Sequence, residues 1–264
     1  LGGLISAFQL GGEKDEERFL IDKAVLLADR LSWGWDGSLK IPYNNVKIND
    51  GIMDKVVREP TCIAGAGTLT MEWGTLSDLT GNKTYRSLAE GAVDAIIVSK
   101  PVFPGLWPTQ YFPSTITPKG DYITWGGGSD SFYEYLSKYP FLIGDADHYY
   151  LDVYRQTMDS TVKHLLKRTG VGNLTFLADY SKVHSNGTIL IHSHLACFSG
   201  GNIAMTGRSM NRSDWVEIGL QLAESCAMTY QRSATGVGPV GESLTLSTSR
   251  SMLRSLMLDS IRLV

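Results

Sequence analysis

Four stretches of this chain repeat one pattern: an apolar-periodic helix, a short turn with glycine, and a second helix entered near an aromatic residue. The glycines are Gly12, Gly81, Gly144 and Gly207, separated by 69, 63 and 63 residues, a period longer than those of the common solenoids. In the second unit Leu69, Met71, Leu76 and Leu79 precede Thr80-Gly81-Asn82, and Tyr85, Leu88, Ala89, Ala92, Val93 and Ile96 resume at helical spacing. The pattern predicts an all-α chain of stacked helical hairpins. The connections 38–62, 101–125 and 170–194 carry Pro, Gly and β-branched residues that suit short β-hairpins. In a ring of hairpins these loops gather on one face, where function usually sits. Four hairpins do not close a toroid, so the repeat implies either a different helical assembly or part of a larger ring.

An apolar content of 43% fills a sizeable core. With 24 basic and 27 acidic residues and no long basic run, nucleic acid is not expected as a partner. No apolar stretch reaches the roughly 20 residues of a membrane helix. The chain opens on Leu1, which suggests a processed chain or a fragment. Asn-x-Ser/Thr sequons at Asn82, Asn173, Asn186 and Asn211 lie in loop-like stretches and favour glycosylation in the secretory pathway, in the ER or Golgi lumen or after secretion. In such an oxidising compartment Cys197 and Cys226 can pair, leaving Cys62 as a buried free thiol.

Trp125-Gly-Gly-Gly-Ser-Asp-Ser-Phe-Tyr-Glu-Tyr135 is the segment richest in chemistry. Its glycines suit a close backbone approach to a ligand, and Ser129 or Asp130 can cap the helix that follows. Asp130 and Glu134 are four residues apart and share a helix face. Paired acids beside aromatics suit sugar hydrolysis, in which one group protonates the leaving oxygen and another activates water. A capping Asp and a solvated Glu would give the same spacing. Trp125 is the tryptophan expected to stack on a sugar, most of the six being core. His192-Ser-His194 lacks a third metal ligand and reads as structural. Gly126-Gly-Gly128 has neither the Lys of a phosphate loop nor the spacing of a dinucleotide fingerprint, and no Gly-x-Ser-x-Gly elbow is present here.

The motifs Leu1-Gly-Gly-Leu-Ile-Ser-Ala7, Ile41-Pro-Tyr-Asn-Asn45, Gly67-Thr-Leu-Thr-Met-Glu-Trp73, Leu76-Ser-Asp-Leu-Thr-Gly81, Gly126 to Leu136 and His194-Leu-Ala-Cys-Phe-Ser-Gly-Gly201 resemble glycoside hydrolase family 47, the class I α-1,2-mannosidases of fungal secreted or Golgi type. The resemblance implies an (α/α)7 barrel, here about four hairpins, that removes terminal α-1,2-linked mannose from high-mannose N-glycans with inversion and a bound Ca2+. It matches Asp130 to a catalytic aspartate, Glu134 and Glu72 to sugar-contacting acids, and Cys197 and Cys226 to a disulfide pair. Once complete, such a protein is expected to be a monomer.

Departures from the family pattern fall on the chemistry. The family's acid upstream of Leu1-Gly-Gly-Leu4 has no counterpart in these residues, and Val240 follows Gly236-Val-Gly-Pro239 where the family has a glutamate. Residues 1–239 read as a partial catalytic domain and 240–264 as a divergent tail, as from a frameshift or an unspliced boundary. The Arg-Pro-Glu motif with the general base and the Ca2+-binding threonine are absent from this sequence. The expectation is a family mannosidase with little or no activity. The alternatives are a non-catalytic mannose-glycan binding module and a non-functional fragment.

Overall fold

Helical periodicity, cut by turns, builds the molecule. The computed structural model describes residues 1–37, 39–49, 56–185 and 187–244. Its α-helices are α1 (Gly2–Leu10), α2 (Phe19–Leu31), α3 (Ile63–Gly67), α4 (Thr70–Thr80), α5 (Lys83–Ile97), α6 (Asp130–Leu142), α7 (Tyr149–Ser160), α8 (Lys182–Ser185), α9 (Phe198–Ser209) and α10 (Ser213–Arg232). The pairs α1–α2, α4–α5, α6–α7 and α9–α10 are the four hairpins. Their first helices also pack side by side, α1 on α4, α4 on α6 and α6 on α9, and form the inner layer.

Three of the four hairpin turns lie at the expected glycines. At the α4–α5 turn Gly81 takes a left-handed φ of 75°, and the Asn82 side chain caps α5 by accepting from the Thr84 N–H at 3.1 Å. The fourth expectation is wrong. Gly207 lies inside α9, and the turn is at Met210 to Arg212, where Asn211 takes φ 55°. A Cβ on Gly207 would lie 2.8 Å from Trp215 Cβ, so this glycine permits close packing of α9 on α10.

The strands are short and most lie in the expected connections; Leu166–Arg168 falls just before one of them and Gly241–Ser243 follows the last helix. Strands β1 (Thr61–Cys62), β2 (Gln110–Phe112) and β3 (Thr117–Pro118) form one antiparallel sheet with Thr61 opposite Tyr111 and Phe112 opposite Thr117. Three antiparallel pairs follow: β4 (Leu166–Arg168) with β5 (Thr175–Leu177), β6 (Asp179–Ser181) with β7 (Gly187–Ile189), and β8 (Ile191–Ser193) with β9 (Gly241–Ser243).

Two apolar clusters support this frame. Ile5, Phe8, Ile21, Trp35, Trp73 and Tyr85 join the first two hairpins, while Trp107, Tyr111, Phe132, Tyr133, Tyr154 and Trp215 join the third hairpin to the fourth and to the loops. Burial of aromatic area on this scale favours the folded chain by roughly 2 kcal/mol per ring. The Cys197–Cys226 disulfide, Cα to Cα 5.8 Å, ties the start of α9 to α10. Cys62 is free but only half-buried, which corrects the expectation of a buried thiol. Its sulfur caps α3 by accepting from the Gly65 N–H at 3.3 Å. Asn82, Asn173 and Asn211 are exposed; Asn186 and residues 245–264 lie outside the described residues. Among those described, no helix is long and apolar enough to cross a membrane.

Candidate functional site

The glycine loop and the first turn of α6 are fixed by hydrogen bonds from several connections. Gly126 O accepts from the N–H groups of Asp130 at 3.0 Å and Ser129 at 3.2 Å, and the Ala64 N–H donates to Gly128 O at 3.0 Å. Thr124 Oγ1 accepts from the Gly126 N–H at 2.7 Å. Ser129 stands at the N-cap, but its hydroxyl donates to Thr109 Oγ1 at 3.1 Å and not to the helix. The loop is therefore a rigid seat for Asp130, the first residue of α6. Segments near residues 62, 109, 124 and 193 meet around it, so the long connections do gather at this end.

Burial pushes the Asp130 carboxyl above the usual range. The Ser131 N–H opposes that shift and the nearby Glu134 charge adds to it. A helix N-terminus alone would favour the ionised acid, but here desolvation is the larger effect. One turn further, Glu134 pairs with Lys138 Nζ at 2.5 Å. From the neighbouring helix, Glu72 in the first turn of α4 accepts a hydrogen bond from the Tyr135 hydroxyl at 2.8 Å. The Tyr135 phenol is pushed up by burial first, then by its bond to Glu72 and the charges of Glu72 and Glu134. A Cβ on Gly2 would stand 3.3 Å from Glu72 Cγ, which brings the start of α1 to the same place. Asp130, Glu134 and Glu72 thus gather at the N-terminal ends of the inner helices.

Trp125 does not join them. Its ring has no solvent exposure, stacks on Tyr133 at 4.6 Å between centroids, and donates from Nε1 to Thr161 Oγ1 at 3.0 Å. This corrects the expectation of a sugar platform: neither ring face is open, and the indole instead fastens the glycine loop to the end of α7. Sequence reasoning also missed Tyr135 and Lys138. The i,i+4 relation of Glu134 to Lys138 was a readable signal, whereas the reach of Tyr135 to Glu72 depends on helix packing.

A cavity of about 540 Å³ opens at the other end of these helices, lined by Gln9, Asp78, Arg86, Tyr139 and Leu142 among others. It lies away from the three acids, and its charges are neutralised. Arg86 Nη2 donates to both Asp78 oxygens at 2.6 Å and to Gly74 O at 3.1 Å, and Nη1 donates to the Tyr139 hydroxyl at 2.9 Å. Size alone does not make it the site, because its charged groups already pair with one another.

Comparison with known proteins gives this geometry its context. The model of glycosyl hydrolase family 47 matches residues 1–255. The chain belongs to that family. It is 36% identical over 257 residues to a mannosyl-oligosaccharide alpha-1,2-mannosidase of Coccidioides posadasii, covering 91% of this chain and 48% of that protein. It is 35% identical to a probable mannosyl-oligosaccharide alpha-1,2-mannosidase 1B of Aspergillus fumigatus, covering 90% of this chain and 50% of that protein. Its fold matches the alpha-1,2-mannosidase from Trichoderma reesei with a TM-score of 0.84 and 31% identity, over 95% of this chain and 55% of that one. The hairpins are therefore those of the family's (α/α)7 barrel, and the chain spans about half the length of the curated relatives it matches.

For this family 47 chain, a Ca2+ site would need six to eight oxygen ligands. Among the described residues, the only group of three His, Cys, Asp or Glu side chains with converging ligand atoms is His192, Cys197 and Cys226, a nitrogen and sulfur set. The described carboxylates do not converge as that ion requires.

Proposed function

We propose that the chain acts on terminal α-1,2-linked mannose of high-mannose N-glycans at the acid cluster of α4 and α6. The observation that carries this reading is the raised carboxyl of Asp130, half-buried on a rigid loop with Glu134 beside it. A carboxyl whose ionised form is disfavoured by burial and by a neighbouring acid suits protonation of a glycosidic leaving oxygen, directly or through a water. Glu134 and Glu72 accept hydrogen bonds from mannose hydroxyls. Asp130 and Glu134, on adjacent turns of one helix, are too close to be the acid and base of an inverting pair, which stand roughly 6.5 to 9.5 Å apart. The three exposed sequon asparagines and the disulfide support work in a secretory compartment.

Turnover by this chain is slow in this reading, because Val240 stands where the resemblance implies a glutamate. The Val240 carbonyl accepts from the His194 N–H at 2.9 Å, and the neighbouring Leu195 lies against Gly127. The same substitution favours a second reading, mannose-glycan binding without hydrolysis. Proton NMR of α-1,2-mannobiose incubated with the chain separates them. Release of β-mannose as the first product that Asp130→Asn abolishes and Val240→Glu accelerates supports the enzyme. Binding without any release supports the second reading, and neither binding nor release would refute both.

A further inference from the structure

The fourth hairpin brings together three metal-ligating side chains that the mannosidase reading leaves unused. His192 lies on β8, Cys197 ends the turn that enters α9, and Cys226 lies on α10. The Nε2 atom of His192 stands 3.5 Å from Cys197 Sγ and 3.4 Å from Cys226 Sγ. These sulfurs are the imidazole's only hydrogen-bonding neighbours among the described residues, since Nδ1 has no partner. His192 and Cys226 are buried, and Cys197 is half-buried.

We propose that His192, Cys197 and Cys226 form a site for a thiophilic divalent cation such as Zn2+, open only when the Cys197–Cys226 disulfide is reduced. With tetrahedral zinc, bonds of about 2.3 Å to sulfur and about 2.0 Å to nitrogen set sulfur–nitrogen separations near 3.5 Å and a sulfur–sulfur separation near 3.8 Å. The folded chain already holds both sulfur–nitrogen separations at that value. Only the sulfur–sulfur separation has to change, and a Cα to Cα distance of 5.8 Å leaves both side chains in reach of one ion. The oxidised pair has no thiolate to offer, so the same residues act either as a covalent staple or as ligands.

The chemistry balances with a dithiol as reductant. The dithiol gives two electrons and two protons to the protein disulfide and closes to its own disulfide, leaving two cysteine thiols. The cation then displaces both thiol protons to solvent, forming two metal–sulfur bonds and one metal–nitrogen bond to Nε2. A fourth position remains for water, and half-buried Cys197 gives the route of entry.

The test is titration of the purified chain with Co2+, before and after reduction by a trialkylphosphine, which takes the place of the dithiol and carries off a water oxygen as its oxide. The expected result is one equivalent of Co2+ per reduced chain, with thiolate-to-cobalt absorption and tetrahedral visible bands, and neither in the oxidised chain. His192→Ala should weaken binding at least about tenfold, and Cys62→Ser should leave it unchanged. Zn2+ should raise the Tm of the reduced chain and not of the oxidised one, a readout that holds even where reduction loosens the fold. Absence of the thiolate band from the reduced chain, equal affinity in His192→Ala, loss of the band in Cys62→Ser, or a Tm of the reduced chain that ignores Zn2+ would each overturn the site.

Discussion

At the C-terminal ends of the inner helices, Asp78 and Glu90 share Arg86 and the Tyr139 hydroxyl. At the N-terminal ends, no arginine or lysine among the described residues forms an ion pair with Asp130 or Glu72. Both regions are polar and face the inner layer, yet they use charge differently. At the first, each acid has a donor and the network ties α4, α5 and α6 together. At the second, Asp130 is desolvated beside another acid and Glu72 accepts from the Tyr135 phenol, which keeps both available to a ligand. A carboxylate tied into a network across three helices, as Asp78 is, is spent on structure, while one held half-buried outside such a network, as Asp130 is, costs stability and retains chemistry; Glu134 stands between them, paired with Lys138 within α6 alone.

That contrast can be broken by moving each region in turn. The largest effect is expected at Asp130, where Asp130→Asn should lower turnover of α-1,2-mannobiose by about 10²-fold or more without lowering Tm. A large fall in Tm with unchanged turnover would assign Asp130 to structure. Arg86→Ala should do the reverse, costing about 2 kcal/mol in denaturant unfolding and leaving sugar affinity unaltered; a loss of affinity at constant stability would move the site to the cavity. Tyr135→Phe removes the phenol donor to Glu72 and should weaken mannobiose binding roughly threefold to tenfold, about 1 kcal/mol, read by calorimetry.

The smallest effect is a pH dependence with a fixed sign. The Asp130 carboxyl is raised in the folded chain, so the folded state holds its proton more tightly than the unfolded state. The contribution is fully present below the unfolded carboxylate range and is lost as pH rises through the folded value. Asp130→Asn removes that loss. The Tm of the variant relative to the parent should therefore rise as pH increases upward from the ordinary carboxylate range; a constant difference would show that Asp130 is not desolvated.

Much of this was legible in the sequence, for identifiable reasons. The turns at Gly81 and Gly144 could be read because a glycine with φ above zero ends an apolar-periodic run. Gly207 could not, since a glycine at a helix crossing looks the same in sequence as one at a turn; only the approach of Trp215 distinguishes them. The acids were found from their motifs and from the spacing of residues 130 and 134, but the link from Tyr135 to Glu72 joins residues 63 apart, set by how α6 lies on α4. Trp125 failed for a related reason. Its glycine neighbours suggested an open loop, while Tyr133 stacks on the ring and Thr161 takes its N–H, both brought in by the third hairpin, and the indole is left with no solvent exposure. The His192 cluster was invisible because its third ligand comes from α10, 34 residues away.

The most direct measurement is calorimetric binding of α-1,2-mannobiose to the chain and to two sets of variants. One set is Asp130→Asn and Glu72→Gln at the acid end, and the other is Gln9→Ala and Thr75→Ala in the cavity. Affinity should fall about tenfold or more, equivalent to about 1.4 kcal/mol, in each acid-end variant and stay unchanged in both cavity variants. Affinity lost only in the cavity variants would contradict the assignment of the site to the acid end.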